Sequence, residues 1–338
     1  MIENSFGRMQ GSQCLSSSEH SHVGCSSLNF SQHDPLPQVI CLAGATGTGK
    51  TAVALHLASA LNGEIVNLDS RQVYHDFPII TAQPNFLELA TCVHHAYGFL
   101  PTEEKLSAGY FAEMIVYIVR EIIARNKVPI LVGGTGLYFK TLLEGISPIP
   151  SISKDITNSV LKRFTEVGSV ALYKELMLVD EPYALRIHPN DKQRIARALE
   201  VYIATGKPLS WWHANKKAKP YVQGLYLGLD TSLNDLRPKL DKRIDLMLEL
   251  GALAEATSAL EKCNNPKAGG WSGIGCIELY NYLSGNVSWQ DTLDLWSKNT
   301  KAYAKRQLTW FRAVPSIKWF KAEDIEGMLK EIKRVCLI

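Results

Sequence analysis

Gly44-Ala45-Thr46-Gly47-Thr48-Gly49-Lys50-Thr51 fits the pattern G-x-x-x-x-G-K-[ST] at every fixed position. The glycines let consecutive backbone N–H groups curl around phosphate oxygens, and a helix that follows adds the positive end of its dipole. In such a loop Lys50 would supply a point charge to an outer phosphate, and the Thr51 hydroxyl can ligate Mg2+. The context agrees with a phosphate loop. Val39-Ile40-Cys41-Leu42-Ala43 reads as a short buried strand, and Val53, Leu55, Leu57, Ala58 and Leu61 give the next segment a helical apolar face. A Gly-rich turn arising by chance has no need of that strand and helix. The overlapping pattern Gly47-x-Gly49-x-x-Ala52, with Asp69 where a ribose-binding acid would stand, allows a dinucleotide fingerprint. That reading needs the strand to run on through Gly44-Ala45-Thr46, and it leaves Lys50-Thr51 without a purpose.

Outward from the loop, Glu64-Ile65-Val66-Asn67-Leu68 forms a second strand ending at Asp69. An amphipathic stretch from Ser107 to Asn126 leads to a third buried strand, Pro129-Ile130-Leu131-Val132. Strands alternating with helices at this spacing predict a parallel α/β sheet. After Gly145 the texture becomes mainly helical. One helix there is capped by Asn190 or Asp191 and stopped by Gly206 with Pro208. Strand character returns at Leu225-Tyr226-Leu227-Gly228-Leu229, ending in Asp230, and from about Leu233 the chain is again mostly helical. The expected fold is a P-loop NTPase-like parallel sheet flanked by helices. Residues 38–145 and 221–338 form that core with a helical C-terminal part, and 146–220 form an inserted, mainly helical domain. Residues 1–37 are rich in Ser, Gln, His and Gly. They carry too little apolar surface to offset ordering entropy, so they read as a disordered extension, with Met9 as an alternative start.

The chain has 338 residues, 46% of them hydrophobic, which is enough for a sizeable core. A net charge of +3 does not mark a nucleic-acid binder, so any such role must come from local clusters of Lys and Arg. Seven cysteines without C-x-x-C spacing point to a reducing, cytoplasmic protein with no cysteine-based metal site. No apolar run approaches the roughly 20 residues of a membrane span, and the N-terminus lacks the pattern of a secretory signal.

The third strand ends in Gly133-Gly134-Thr135-Gly136, without the magnesium-linked acid that NTP hydrolases place there. That weakens a motor or switch and leaves a transferase that uses the loop to hold a substrate or a leaving diphosphate. Asp69-Ser70-Arg71-Gln72-Val73-Tyr74 follows the second strand, where the C-terminal ends of parallel strands face the ligand crevice. Asp69 is either a general base for an attacking nucleophile or a turn residue. Arg194 and Arg197 share a helical face, while Ile195, Leu199 and Tyr202 can turn to a core. Lys216, Lys217 and Lys219 follow Trp211-Trp212, and Lys298, Lys301 and Lys305 make a stripe near Tyr303, Trp310 and Phe311. Such stripes suit backbone tracking and base stacking, or they are solvated faces over core aromatics.

Taken in order, these motifs make the chain resemble the tRNA dimethylallyltransferases, also called tRNA isopentenyltransferases. The likeness runs from about Val39 to Arg312. It rests on the P-loop, on Asp69-Ser70-Arg71-Gln72-Val73-Tyr74, and on Gly133-Gly134-Thr135-Gly136-Leu137-Tyr138. It extends through His188-Pro189-Asn190-Asp191 with Arg194-Ile195-Ala196-Arg197-Ala198-Leu199-Glu200-Val201-Tyr202, and through Arg243-Ile244-Asp245-Leu246-Met247-Leu248. The last is Tyr303-Ala304-Lys305-Arg306-Gln307-Leu308-Thr309-Trp310-Phe311-Arg312. Motifs of this length in this order displace the dinucleotide reading.

The resemblance implies transfer of a dimethylallyl group from its diphosphate to the exocyclic amine of the adenine just 3′ of the anticodon. It implies that Gly44 to Thr51 hold the diphosphate with Mg2+, and that Asp69 is the general base. Thr46 and Arg243 would contact the diphosphate and the reacting centre. Asp69, Ser70, Arg71, Gln72, Thr135 and Gln193, Arg194, Ile195, Ala196 and Arg197 would contact the anticodon stem-loop of a tRNA bound by a monomer. An anticodon loop suits the chemistry, since its bases leave their stack at least cost. The chain departs from the family at Gly275-Cys276-Ile277-Glu278, where an aromatic and a cation are usual. It departs also at Lys301 in place of Arg, at Ala96-Tyr97-Gly98 after His94-His95, and across Asn264 to Gly273. None of these touches the P-loop or Asp69, which predicts an active enzyme with altered tRNA preference or affinity. A transferase acting on free adenine nucleotides, a small-molecule kinase and a non-catalytic RNA-binding relative are the competing readings. The helical region bearing Arg194 and Arg197 opposes the first, and intact Lys50, Thr51 and Asp69 oppose the last.

Overall fold

The structure, a computed structural model, describes residues 35–215 and 218–336. Residues 1–34 of the expected extension, with Lys216 and Lys217 of the basic cluster, lie outside the described residues.

Short, almost continuously buried runs build the sheet. Strand β1 (Gln38–Ala43) leads through the P-loop into helix α1 (Lys50–Leu61) and strand β2 (Gly63–Asn67). Helix α2 (Phe86–Thr91), strand β3 (His94–His95) and helix α3 (Ala108–Ala124) follow, then strand β4 (Val128–Gly133) and helix α4 (Gly136–Glu144). Four helices come next: α5 (Lys154–Val179), α6 (Glu181–Ala184), α7 (Lys192–Thr205) and α8 (Leu209–Asn215). Strand β5 (Gln223–Leu229) re-enters the sheet. Helices α9 (Leu233–Glu249), α10 (Ala252–Lys262), α11 (Cys276–Leu283) and α12 (Trp289–Arg312), strand β6 (Lys318–Phe320) and helix α13 (Ile325–Cys336) complete the chain.

The six strands are parallel, in the order β3-β2-β4-β1-β5-β6. Ala43 of β1 lies between Gly133 of β4 and Gly228 of β5, so the loops after β1, β2 and β4 all emerge at one edge of the sheet. Side chains of period two divide between two cores. Val39, Cys41 and Ala43 face the cluster shared with α3, α4 and α9 to α12, while Ile40 and Leu42 face α1 and α13. Strands buried on both faces read as continuous apolar runs, which is why β1, β4 and β5 stand out in the sequence.

The expected strands and long helices are present with ends shifted by a residue or two. Strands β3 and β6 are too short to carry an alternation signal, and both were missed. The expected boundary at residue 37 also moves. Pro37 is buried and its carbonyl accepts the Gln223 N–H at 3.0 Å, because the residues before β1 continue its pairing with β5. Helices α5 to α8 pack around a cluster of their own that includes Leu172, Leu176, Ile195 and Leu199. Asp191 caps α7 by accepting the Arg194 N–H, and Gly206, at φ 66°, ends it.

Candidate active site

The P-loop turns back on itself where Gly47 and Gly49 take φ of 82° and 87°, a left-handed backbone that side-chain-bearing residues rarely adopt. Thr48 Oγ1 and Lys50 Nζ both donate to the Ala45 carbonyl, at 2.9 and 2.8 Å. Burial pushes the Lys50 ammonium down to about 8; Arg243 pushes the same way, and Asp69 opposes them. Thr51 is the second residue of α1, beside the loop.

Asp69 is held by its neighbours. Its N–H donates to Asn67 Oδ1 at 2.7 Å, and Asn67 Nδ2 reaches the carbonyls of Asp69 and Ala96. Asp69 Oδ1 accepts the Arg71 N–H at 2.8 Å. The Ser70 N–H donates to Thr135 Oγ1 at 2.9 Å, and the Thr135 hydroxyl donates to Ser70 Oγ. The loops after β2 and β4 are thereby joined.

A third partner joins the P-loop to them. Gln307, 5% exposed on α12, accepts the Thr46 N–H through Oε1 at 2.9 Å and donates to the Gly134 carbonyl through Nε2 at 2.8 Å. Beside these loops lies a cavity of ≈ 240 Å³. Its lining combines Thr46, Asp69, Arg71, Arg243, Tyr303 and Arg306 with the apolar Ile80, Leu240, Ile244, Met247, Ile274 and Trp296, and Thr81, Ser272 and Thr300 also line it. Burial lowers the Arg243 pKa against the pull of Asp69, and burial raises that of Tyr303. The Asp69 carboxylate, the partly buried Arg243 guanidinium and Thr46 of the phosphate loop thus meet on a pocket that also has apolar lining, with the partly buried Lys50 in the same loop as Thr46. That set can hold a charged leaving group, accept a proton, and cover an apolar substituent.

The apolar wall has its own support. Glu255 on α10 accepts the N–H groups of Ile79 and Ile80 at 2.7 and 2.9 Å, fixing the segment that carries Ile80. Burial pushes Glu255 up to about 7 from an ordinary 4.5, against the pull of those two N–H donors. Between these values the folded chain holds a proton that the unfolded chain has lost. Stability should therefore fall as pH rises from 4.5 to about 7, then level off. Glu255→Gln is expected to remove that slope, read as the difference in melting temperature between variant and wild type across the window. A slope common to both proteins would refute the assignment.

Of the residues expected at the site, Thr46, Asp69, Arg71 and Arg243 meet on the cavity, and Ser70 and Thr135 meet just behind Asp69. Gln72 turns away, its Nε2 donating to the carbonyls of Thr81 and Ala82. On α7, outside the cavity lining, Gln193, Arg194 and Arg197 are exposed. Ile195 and Ala196 are buried, because their side chains form the core beneath that helix, so only the exposed three offer side chains to a partner. In the C-terminal stripe Lys301 is paired with Asp241 at 2.7 Å and Phe311 is core, which leaves Lys298 and Lys305 exposed. At the unusual Gly275–Glu278 stretch Cys276 is fully buried. The Glu278 carboxylate accepts the Gly275 N–H at 2.6 Å and Asn299 Nδ2 at 2.7 Å, so this stretch is a well-capped start to α11.

Sequence reasoning assigned no role to Gln307 or Trp296. The available signal was the spacing of Trp296, Thr300, Tyr303 and Gln307, which puts all four on one face of α12.

A family profile described as IPP transferase matches residues 72–314, and the relatives extend further. A tRNA dimethylallyltransferase of Desulfovibrio desulfuricans is 53% identical over 292 residues, which cover 86% of this chain and 90% of the relative. The chain belongs to the IPP transferase family. Within the family, a second tRNA dimethylallyltransferase, from Nitratidesulfovibrio vulgaris, is 50% identical and covers 87% of this chain and 92% of its own. Two solved structures share the fold. The full-length tRNA isopentenylpyrophosphate transferase of Bacillus halodurans has a TM-score of 0.64 at 30% identity, covering 89% of this chain and 96% of that one. A eukaryotic dimethylallyltransferase acting on tRNA has a TM-score of 0.74 at 31% identity, covering 88% and 78%. The family profile begins at Gln72, so the P-loop and Asp69 precede the stretch it matches.

Proposed function

We propose that this chain transfers a dimethylallyl group from dimethylallyl diphosphate to the exocyclic amine of the adenine 3′-adjacent to the anticodon of a tRNA. The observation that carries the reading is the meeting of Thr46, Asp69 and Arg243 on one cavity that continues into an apolar wall. The amine nitrogen bonds to the first carbon of the allyl group, the carbon–oxygen bond to diphosphate breaks, and the amine proton passes to Asp69. Charge growing on the departing diphosphate meets the P-loop N–H groups, Lys50 and Arg243. Donors already in place there stabilise it without reorganisation. The apolar wall shelters the allyl carbon from water until the amine arrives. Thr51 would hold Mg2+ together with the diphosphate oxygens, since that ion keeps most of its waters and takes few protein ligands. When bound, it would add positive charge at the leaving group. Among the described residues no helix is long and apolar enough to cross a membrane. A tRNA substrate supports a cytoplasmic enzyme, and we take a monomer as its working unit.

The test combines the full chain, magnesium, labelled dimethylallyl diphosphate and an anticodon stem-loop with adenine 3′ of the anticodon, and a parallel reaction supplies adenosine monophosphate. Label in the stem-loop with equal release of diphosphate is the expected result. Label only in the free nucleotide would overturn the tRNA assignment, and no transfer to either would overturn the enzyme. In the same assay the Lys50 pKa has a visible consequence. The free protein's Lys50 loses its charge as pH rises through about 8, so kcat/KM for the donor should fall above that pH. Bound diphosphate favours the charged form, so kcat should bend at higher pH. Profiles of kcat/KM and kcat that bend together would count against this role for Lys50.

A further inference from the structure

We propose that Trp296 closes the far end of the cavity and sets the longest prenyl group the protein accepts, at five carbons. This rests on the transfer reaction above. The cavity runs between α9 and α12, which pair in the order antiparallel helices require. At the P-loop end Leu236 and Leu240 meet Ala304 and Leu308 against Ala45, and midway Asp241 holds Lys301 and Ser297. Beyond that point Ile244 and Met247 of α9 and Trp296 of α12 line the cavity together with Ile80 and Ile274.

Depth follows from helix geometry. Gln307 touches Thr46 of the P-loop, and the stretch of α12 from Gln307 back to Trp296 rises roughly 16 Å. Along α12 the cavity-lining residues run from Arg306 and Tyr303, next to Gln307, through Thr300 to the apolar Trp296. A donor whose diphosphate lies at the P-loop therefore points its tail toward Trp296.

The end wall is closely packed. Trp296 is 2% exposed. Gly275 comes so close that a Cβ there would lie 2.7 Å from the indole ring and 2.7 Å from Ile80 Cγ2. The indole is thus held between α11 and the segment bearing Ile80, which Glu255 fixes in turn. The cavity, at ≈ 240 Å³, is below the roughly 300–1,000 Å³ usual for sites of drug-sized ligands. It must also admit the reacting edge of a base. A second five-carbon unit needs the space the indole fills. With the longer donor the same bonds form and break and the proton still goes to Asp69, so only the fit of the tail differs.

The experiment compares dimethylallyl diphosphate with geranyl diphosphate, its ten-carbon homologue, using the full chain, magnesium and the anticodon stem-loop. It is run on wild type, Trp296→Ala and Trp296→Leu. Both donors are measured on each preparation, so the ratio of their kcat/KM values does not depend on the fraction of folded protein. Wild type should prefer the five-carbon donor by about 100-fold or more, and each variant should narrow that preference by at least about 10-fold. Wild type using both donors alike, or variants keeping the wild-type ratio, would overturn the role of Trp296 while leaving the transfer reaction in place. Wild type transferring neither group would overturn the reaction itself, and this inference with it.

Discussion

Asp69→Asn is expected to slow prenyl transfer to an anticodon stem-loop by about 10²–10⁴-fold, the usual worth of a positioned general base. The substitution isolates that one function. The Asp69 N–H is anchored by Asn67, and the oxygen that accepts the Arg71 N–H at 2.8 Å has a counterpart in Asn. The loop therefore keeps its shape, and tRNA affinity should stay within a few-fold of wild type. Only basicity and charge are removed. The lost charge has its own signature, because Asp69 helps keep Lys50 protonated. Without it the fall in kcat/KM with rising pH should begin below the wild-type value of about 8. Single-turnover transfer, with stem-loop affinity measured separately, reads the first effect, and a pH profile reads the second. A wild-type single-turnover rate in this variant would mean that the proton leaves by another route.

Gln307→Leu is expected to combine a loss of stability with a loss of rate. Leucine fills nearly the same space but can replace neither hydrogen bond. The Thr46 N–H and the Gly134 carbonyl would each be left unpaired beside a buried side chain. Leaving a buried polar group unpaired costs about 1–3 kcal/mol, so the two together should cost at most roughly 2–6 kcal/mol, read from denaturant midpoints. The rate falls for a geometric reason. Gln307 is the link that holds the P-loop against the loop carrying Gly134 and Thr135, and Thr135 in turn accepts the Ser70 N–H beside Asp69. A shift of about 1 Å between the diphosphate and the base is enough for a roughly 10²-fold loss in kcat. The fit is close, since a Cβ on Gly134 would lie 2.2 Å from Gln307 Nε2 and would displace that side chain from its hydrogen bonds. A Gln307→Leu protein with wild-type stability and kcat would refute the bridging role.

Much of this molecule could be read from the chain alone, for local reasons. The spacing of Gly44, Gly49, Lys50 and Thr51 defines a phosphate loop because those atoms must curl around one anion within a few residues. The apolar runs that became β1, β4 and β5 are buried on both faces, so their signal needs no knowledge of neighbours. The position of Asp69 just past β2 follows from the rule that ligands meet the C-terminal ends of parallel strands. The two-residue strand β3 and the three-residue β6 carry no such signal and exist only because an edge is there to pair with. Within α7 the buried positions of Ile195 and Ala196 follow from helical period, yet the motif that contains them had cast both as RNA contacts.

The cavity belongs to the tertiary structure. Thr46 and Gln307 are 261 positions apart, and nothing local to either indicates that they share a hydrogen bond. The apolar stripes of α9 and α12 could pack against many partners. Only their docking on the P-loop puts Arg243 opposite Asp69, and only the close approach of Gly275 seats Trp296 at the end of the pocket. Local sequence could specify the groups that bind phosphate and move a proton, because those groups act through neighbours a few residues away. The depth and closure of the pocket depend on long-range packing of whole helices, and that is decided when the chain folds.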